Sequence, residues 1–199
     1  QALAAHFLDL SVTTSAPHTA VLIGRFQPFH NGHLALLQQA LQTAQQVVVV
    51  LGSAHQARSP KNPFSWEERA QLIQASLPAD QAARVHCVPV RDYYDEPRWV
   101  QAVMTAVHTQ VPAGARVALV GHFKDASSEY LARSPGWKLL SLPRQGDFDG
   151  TPTREIYWNL QALPQVQMWQ QLTPLVPTAV ADWLRQWQTT PDYETMRAE

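Results

Sequence analysis

Several absences narrow the reading before any motif does. The sequence has a single cysteine, Cys87, so no intrachain disulfide can form, which favours a reducing compartment. It has no excess of either charge. Its 15 Lys and Arg against 16 Asp and Glu leave a formal net charge of -1, which argues against a general nucleic-acid binder working through a basic surface. No apolar run approaches the roughly 18–20 residues that a membrane helix needs, and the start lacks the basic-then-apolar order of a secretory leader. Internal repeats and low-complexity tracts are also missing, although Gln is frequent. The expectation is a cytoplasmic protein with no nucleic-acid or membrane partner.

What is present suits one domain. The 199 residues are 45% hydrophobic, enough to fill a sizeable core. Residues 1–19, with Pro17, read as a poorly ordered arm, residues 20–190 as the domain, and residues 191–199 as a tail or the start of a linker to a further domain. The chain begins on Gln1 rather than Met and is helix-compatible from Asp192 to Glu199, which fits a piece of a longer protein.

The apolar pattern alternates between two periods. Val21–Ile23, Val47–Leu51, Val85–Val90, Val117–Val120 and Trp137–Leu142 read as five short strands. Between them, Leu34, Leu37, Leu41 and Ala44 recur at helical spacing, as do Trp99, Val103, Ala106 and Val107. Trp66–Leu77 reads as a helix opened by a capping box, Ser65 with Glu68 three residues on. Ser127–Ala132 suggests a short helix, and the chain from Thr151 onward reads as helical, interrupted by Pro164, Pro174 and Pro177. Short apolar strands alternating with helices predict an α/β fold. It is a Rossmann-like, doubly wound parallel five-stranded sheet with helices on both faces and a helical C-terminal segment. Ligands in such folds bind at the carboxyl ends of the strands.

The residues that carry chemistry follow the strands. Gly24-Arg25-Phe26-Gln27-Pro28-Phe29-His30-Asn31-Gly32-His33 joins the first strand to the first helix. Gly24 allows close approach of backbone to a ligand. His33 falls at or just before the helix start, where amides and the dipole favour anions. His30 and His33, three apart, can face one phosphate chain and stabilise charge on transferring phosphoryl oxygens. A zinc reading fails because His-x-x-His supplies only two ligands and nothing nearby completes a tetrahedral set. No metal-ligating residue is therefore expected.

This string resembles the signature of the adenylyltransferase superfamily marked by His-x-Gly-His. Its wording is closest to the archaeal-type nicotinamide mononucleotide adenylyltransferases and to the bacterial bifunctional version fused to a Nudix hydrolase. Four ordered blocks over residues 21–158 carry the resemblance. After the second strand, Lys61-Asn62-Pro63-Phe64 precedes Glu67-Glu68-Arg69. The resemblance makes Lys61 a phosphate ligand, against a solvated loop lysine, and Arg69 either an ordinary helix arginine or a buried organiser. After the third strand it sets Asp92 and Trp99 against the nicotinamide. A carboxylate there can accept from the carboxamide and an indole can stack on the cationic ring, with core packing the rival for Trp99. After the fourth strand, Gly121 and Lys124 approach ATP. Thr151-Pro152-Thr153-Arg154 resembles the superfamily's second signature, with Thr151 as helix cap and Pro152 at the first helical position. Asp149 stands there in place of the usual Ser, and Thr153 in place of a branched apolar residue.

The implied activity is a nucleotidyltransferase of NAD biosynthesis, joining ATP to nicotinamide mononucleotide with release of pyrophosphate. His30, His33, Arg154 and Lys61 would carry the transfer. Gly24, Arg25, Phe26, Gly121, Lys124, Thr151 and Thr153 join His30, His33 and Arg154 around ATP. Arg25, Lys61, Asn62, Asp92 and Trp99 would hold the mononucleotide. Magnesium is expected to arrive mainly through ATP phosphates. A fused Nudix domain and a homo-oligomer are compatible with the pattern. The alternatives are another adenylyl- or cytidylyltransferase, such as a phosphopantetheine adenylyltransferase, and a non-catalytic nucleotide sensor that retains the fold.

Overall fold

The computed structural model describes residues 16–121, 136–141 and 150–199. The helix expected at Ser127–Ala132, Lys124, Asp149 and the last residue of the fifth expected strand lie outside these residues. Five strands, β1 (Thr19–Gly24), β2 (Gln46–Leu51), β3 (Val85–Pro89), β4 (Val117–Gly121) and β5 (Lys138–Ser141), form one sheet in the order β3-β2-β1-β4-β5. Each neighbouring pair is parallel. The first strand begins at Thr19, one residue inside the expected arm, and Thr19 is fully buried in the sheet.

Alternation along the strands divides the core between two faces. Ala20, Leu22, Val47, Val49 and Leu51 point to one side, where α1 (Asn31–Thr43) and α2 (Trp66–Ala75) pack with the C-terminal helices. Val21, Val48, Val50 and Val88 point to the other, against Val100, Val103 and Val107 of α4 (Glu96–His108). A short helix, α3 (Ala79–Ala82), precedes β3. Both faces of the central strands are covered, so they read as continuous apolar runs rather than as alternating ones.

The C-terminal part comprises α5 (Thr151–Tyr157), α6 (Gln165–Leu172), a 3₁₀ turn at Thr173–Leu175, α7 (Thr178–Trp187) and α8 (Pro191–Ala198). The prolines expected as interruptions serve mostly as starts. Pro164 and Pro177 occupy the caps of α6 and α7, where a missing N–H costs nothing. The segment 191–199, expected as a tail or the start of a linker, forms α8, which packs on the domain. Tyr193 and Met196, three apart on one face of α8, are buried. The Tyr193 hydroxyl donates to the carbonyl of Tyr157 at 2.9 Å, and Arg197 Nε to that of Trp158 at 3.1 Å. Tyr157 lies at the centre of this packing, ringed by Phe64, Trp158, Trp169, Trp187 and Tyr193 at centroid distances of 5.1 to 6.4 Å. Burial raises its phenol well above the usual range, so it stays neutral and donates to the carbonyl of Leu184.

Candidate active site

Sheet order reverses between β1 and β4, and the two strands part there. The β1–β2 ladder runs to Gly24 opposite Leu51, but the β1–β4 ladder stops at Val21 opposite Leu119. The resulting crevice at the carboxyl ends is the topological switch point where α/β sheets take ligands, and the loop from Arg25 to His30 leaves β1 at that edge. A second cavity, of about 960 Å³, opens among His108, Arg116, Trp137 and Lys138. It lies by the first residues of β4 and β5, at the opposite end of the strands, and gathers none of the chemistry.

The two histidines are placed by one local device. His30 is the N-cap of α1, and His33 is the helix's third residue rather than one at or before its start. Nδ1 of His30 accepts from the amides of Gly32 and His33 at 3.1 and 3.4 Å, and Nδ1 of His33 accepts from the amide of His30 at 3.2 Å. This reciprocal pair does the work of a Ser-x-x-Glu capping box with imidazoles. It also sets the tautomer. A ring nitrogen that accepts carries no proton, so the neutral rings hold theirs on Nε2. Both rings are buried and stack with centroids 3.6 Å apart and planes 18° apart. The His-x-x-His spacing thus yields two parallel Nε2–H donors at the start of a helix.

Phe26, expected near ATP, turns its ring into the core. The residue is 7% exposed, and its ring meets His33 edge-on at 4.7 Å. A Cβ at Gly24 would come within 2.9 Å of that ring, so the glycine makes room for Phe26. Phe26 holds φ 53° and Ser53, after β2, φ 51°. Both are left-handed conformations uncommon for such residues and concentrated at functional loops.

The second signature docks on the same loop. Arg154 is buried, its Nη1 donating to the carbonyl of Gln27 at 2.9 Å and its Nη2 to the hydroxyl of Thr151 at 3.2 Å. Gly150 permits this, since a Cβ there would fall 2.9 Å from both Arg154 Nη1 and the Gln27 carbonyl oxygen. The expected cap is displaced by one residue: Gly150 is the N-cap, Thr151 the first helical residue and Pro152 the second. Thr153 is 4% exposed, facing inward from the third position of α5. Gly121 ends β4 at the carboxyl edge with φ 150°.

On the acceptor side, the capping box of α2 is present in full. The Ser65 hydroxyl accepts from Glu68 N and the Glu68 carboxylate from Ser65 N. Arg69 is the buried organiser, 1% exposed. Its Nη1 donates to the carbonyls of Arg25 and Gly52, each at 2.7 Å, and its Nε to that of Ser65 at 3.3 Å. The loops after β1 and β2 are thereby held to the start of α2. Burial pulls its guanidinium down to about 10, so it remains a cation at neutral pH. Arg69→Ala strands these carbonyls and is expected to lower unfolding stability by about 2–3 kcal/mol, read from urea midpoints. An unchanged midpoint would remove its organising role.

Lys61 is exposed in a turn in which Ser59 and Asn62 exchange backbone bonds, and Arg25 is exposed above the crevice. Asn62 is half-buried, with Oδ1 shielded from solvent and without a hydrogen-bond partner among the described residues. Asp92 accepts from the Ser53 hydroxyl at 3.0 Å and from Gln56 Nε2 at 2.6 Å, tying the loops after β3 and β2 together. Beside it a cavity of about 590 Å³ is lined by His55, Arg91, Tyr93 and Arg98 among others. Trp99 sits in the first turn of α4, half-buried against the second core cluster, so packing accounts for part of its ring. Cys87, in β3, has its thiol pushed up to about 12 by burial, which disfavours the thiolate.

The structure therefore gathers His30, His33, Thr151 and Arg154 around one loop, and Asp92 with Ser53 on the next. Gln27 is the positioning group that motif reading passed over, and its one sequence signal is a polar side chain inside a string otherwise explained by glycine, proline and aromatics.

Comparison with known proteins agrees with this geometry. A family model described as cytidylyltransferase-like matches residues 21–98. The chain is 43% identical over 139 residues to a nicotinamide/nicotinic acid mononucleotide adenylyltransferase of Acinetobacter baylyi, covering 69% of this chain and 74% of that protein. It is 31% identical over 173 residues to a nicotinamide-nucleotide adenylyltransferase of Ignicoccus hospitalis, covering 84% and 91%. Among solved structures, a bifunctional NMN adenylyltransferase/ADP ribose pyrophosphatase from Francisella tularensis, complexed with AMP and manganese, superposes with a TM-score of 0.76 at 28% identity. That match covers 92% of this chain and 52% of the Francisella chain, so this chain spans about half its length.

Proposed function

The chain belongs to the nicotinamide-nucleotide adenylyltransferase family, and from that premise we propose that it transfers the adenylyl group of ATP to nicotinamide mononucleotide, giving NAD and pyrophosphate. The observation that carries the reading is the stacked imidazole pair whose Nδ1 atoms both accept backbone amides, on the loop after β1 that also receives Arg154.

The mononucleotide phosphate attacks the α-phosphorus of ATP in line. A phosphate oxygen is already ionised, so no side chain has to take a proton, and catalysis reduces to positioning and charge stabilisation. His30 and His33 donate from Nε2 to phosphate oxygens as charge moves toward the leaving pyrophosphate. Arg154, with two of its N–H groups fixed by Gln27 and Thr151, adds a cation oriented before the substrate arrives. Arg25 and Lys61 hold the triphosphate and the incoming phosphate. Asp92 presents acceptor oxygens, which suit the N–H groups of a carboxamide. The amide substrate is therefore the primary one, although the Acinetobacter relative is named for both the amide and the acid.

A divalent cation, magnesium, belongs to this reaction. Hard cations require oxygen ligands, and among the described residues no three His, Cys, Asp or Glu form a group that could hold one. The loop chemistry here is imidazole and guanidinium, so the triphosphate itself would supply the oxygens. A cation held in that way would supply neutralisation of charge on the phosphates. No described helix is long and apolar enough to cross a membrane, and a cytoplasmic location fits a small-molecule enzyme with one cysteine.

The test is to supply ATP with nicotinamide mononucleotide, nicotinic acid mononucleotide or phosphopantetheine in separate reactions, and to follow pyrophosphate and the adenylylated product. NAD formation faster than either alternative is expected. Exclusive use of phosphopantetheine, or no turnover of any acceptor, would overturn the proposal. Trp99→Ala is expected to raise KM for the mononucleotide about tenfold with little change in KM for ATP, as loss of a stacking face predicts. An unchanged mononucleotide KM would make Trp99 a packing residue only.

A further inference from the structure

We infer that Gln27 is a positioning residue that ties the triphosphate side of the site to the acceptor side, an inference that rests on the adenylyl-transfer reading above. Gln27 is 2% exposed, lies three residues before His30, and uses its hydrogen-bonding groups in two directions. Its backbone carbonyl accepts from Arg154 Nη1 at 2.9 Å. Its side-chain amide pairs with the backbone of Phe64: Nε2 donates to the Phe64 carbonyl and Oε1 accepts from the Phe64 amide, both at 3.0 Å. Phe64 directly follows Lys61-Asn62-Pro63 and precedes the cap of α2. One residue therefore joins the histidine loop, the start of α5 and the acceptor loop.

The pairing demands an amide. Phe64 offers one donor and one acceptor, and only a side chain with both, in the same plane, satisfies the two together. A carboxylate leaves the buried Phe64 carbonyl without a donor, and a methyl group leaves both backbone groups without a partner. The junction is also tight, since even a Cβ on Gly150 would lie 2.9 Å from the Gln27 carbonyl oxygen. In an in-line transfer the acceptor oxygen must lie opposite the leaving oxygen, and about 1 Å of misplacement costs on the order of 10² in rate. By linking the two loops, Gln27 sets that separation without touching either substrate.

Gln27→Met retains side-chain length and volume while removing both bonds. The expected result is a kcat about 10- to 100-fold lower, with KM for ATP and for the mononucleotide each within about threefold of the wild type. Calorimetry with an unreactive ATP analogue should still give one site per chain, which shows that the lost rate is not an unfolded fraction. Gln27→Glu adds a readout that a purely structural role would not move. At alkaline pH the carboxylate opposes the Phe64 carbonyl, whereas protonation restores a donor there. Its kcat relative to wild type should therefore rise as pH falls from about 8 to 6. An unchanged kcat in Gln27→Met, or a flat relative pH profile in Gln27→Glu, overturns the inference. If Gln27→Met binds less than one equivalent, the pH profile of Gln27→Glu alone decides. A wild-type protein that makes no dinucleotide would sink the functional reading instead.

Discussion

His33→Ala is expected to lower turnover by on the order of 10² or more, the usual loss when one donor to a developing anion is removed. That side chain has one role in the proposed transfer and one in the fold, and they can be separated. In the proposed transfer its Nε2–H donates to phosphate, while in the fold Nδ1 accepts the amide of His30 in the reciprocal cap at 3.2 Å. Removing the ring also exposes one face of His30, stacked at 3.6 Å, and the edge of Phe26. The cap alone is worth about 1 kcal/mol, which should lower thermal stability modestly without accounting for the rate. His33→Asn distinguishes the two roles, because a short amide can accept from the His30 amide yet cannot place a donor where Nε2 was. It should recover most of the stability and little of the turnover. Pyrophosphate release under saturating substrates and the thermal midpoint are the two measurements. A His33→Ala kcat within threefold of wild type would show that the imidazole is not a transition-state donor.

Arg154→Lys should be nearly as severe, with kcat down about 10²-fold although the charge is kept. The guanidinium is held at two points, by the carbonyl of Gln27 and the hydroxyl of Thr151, before any substrate binds. An ammonium has neither the reach nor the planar fork to repeat both bonds, so the cation would be loosely placed. Arg154→Ala goes further. It leaves the buried Gln27 carbonyl without that donor, at a cost of about 1–3 kcal/mol in stability, and removes the cation as well. Comparing the two variants by kcat and by unfolding midpoint separates charge from placement. If Arg154→Lys turns over at close to the wild-type rate, charge suffices and the fixed fork contributes nothing to transfer.

The parts of the fold and site that local chemistry specifies were legible in the residue order. The β-branched run Val47–Leu51 has to be a buried strand, and β2 ends at Leu51 as the following glycine requires. Ser65 and Glu68 announce the start of α2, and both bonds of that box are made. His30 and His33 were recognisable as a pair, although the string alone did not say that each ring caps the other's backbone. The prolines misled where their position relative to a helix start was one residue off, as at Thr151-Pro152. The packing of the last helix was not legible, because it buries only Tyr193 and Met196 of its own residues, and the partners of Tyr193 and Arg197, Tyr157 and Trp158, lie more than 30 residues away.

By itself, then, the residue order determined the alternation of strand and helix, the α/β class, and the paired-histidine string that carries the family resemblance. Those properties depend on neighbours within about four positions, where hydrogen bonds and apolar period act directly. The tertiary structure alone decided what holds the site in shape. Gln27 bonds to a backbone 37 residues away, Arg69 to one 44 residues away, and Arg154 to one 127 residues away. Every non-proline residue carries the same N–H and C=O, so a side chain that bonds to main chain leaves no mark on its partner's identity. Only folding, by bringing the loops after β1 and β2 against α5, selects which of those identical groups is met.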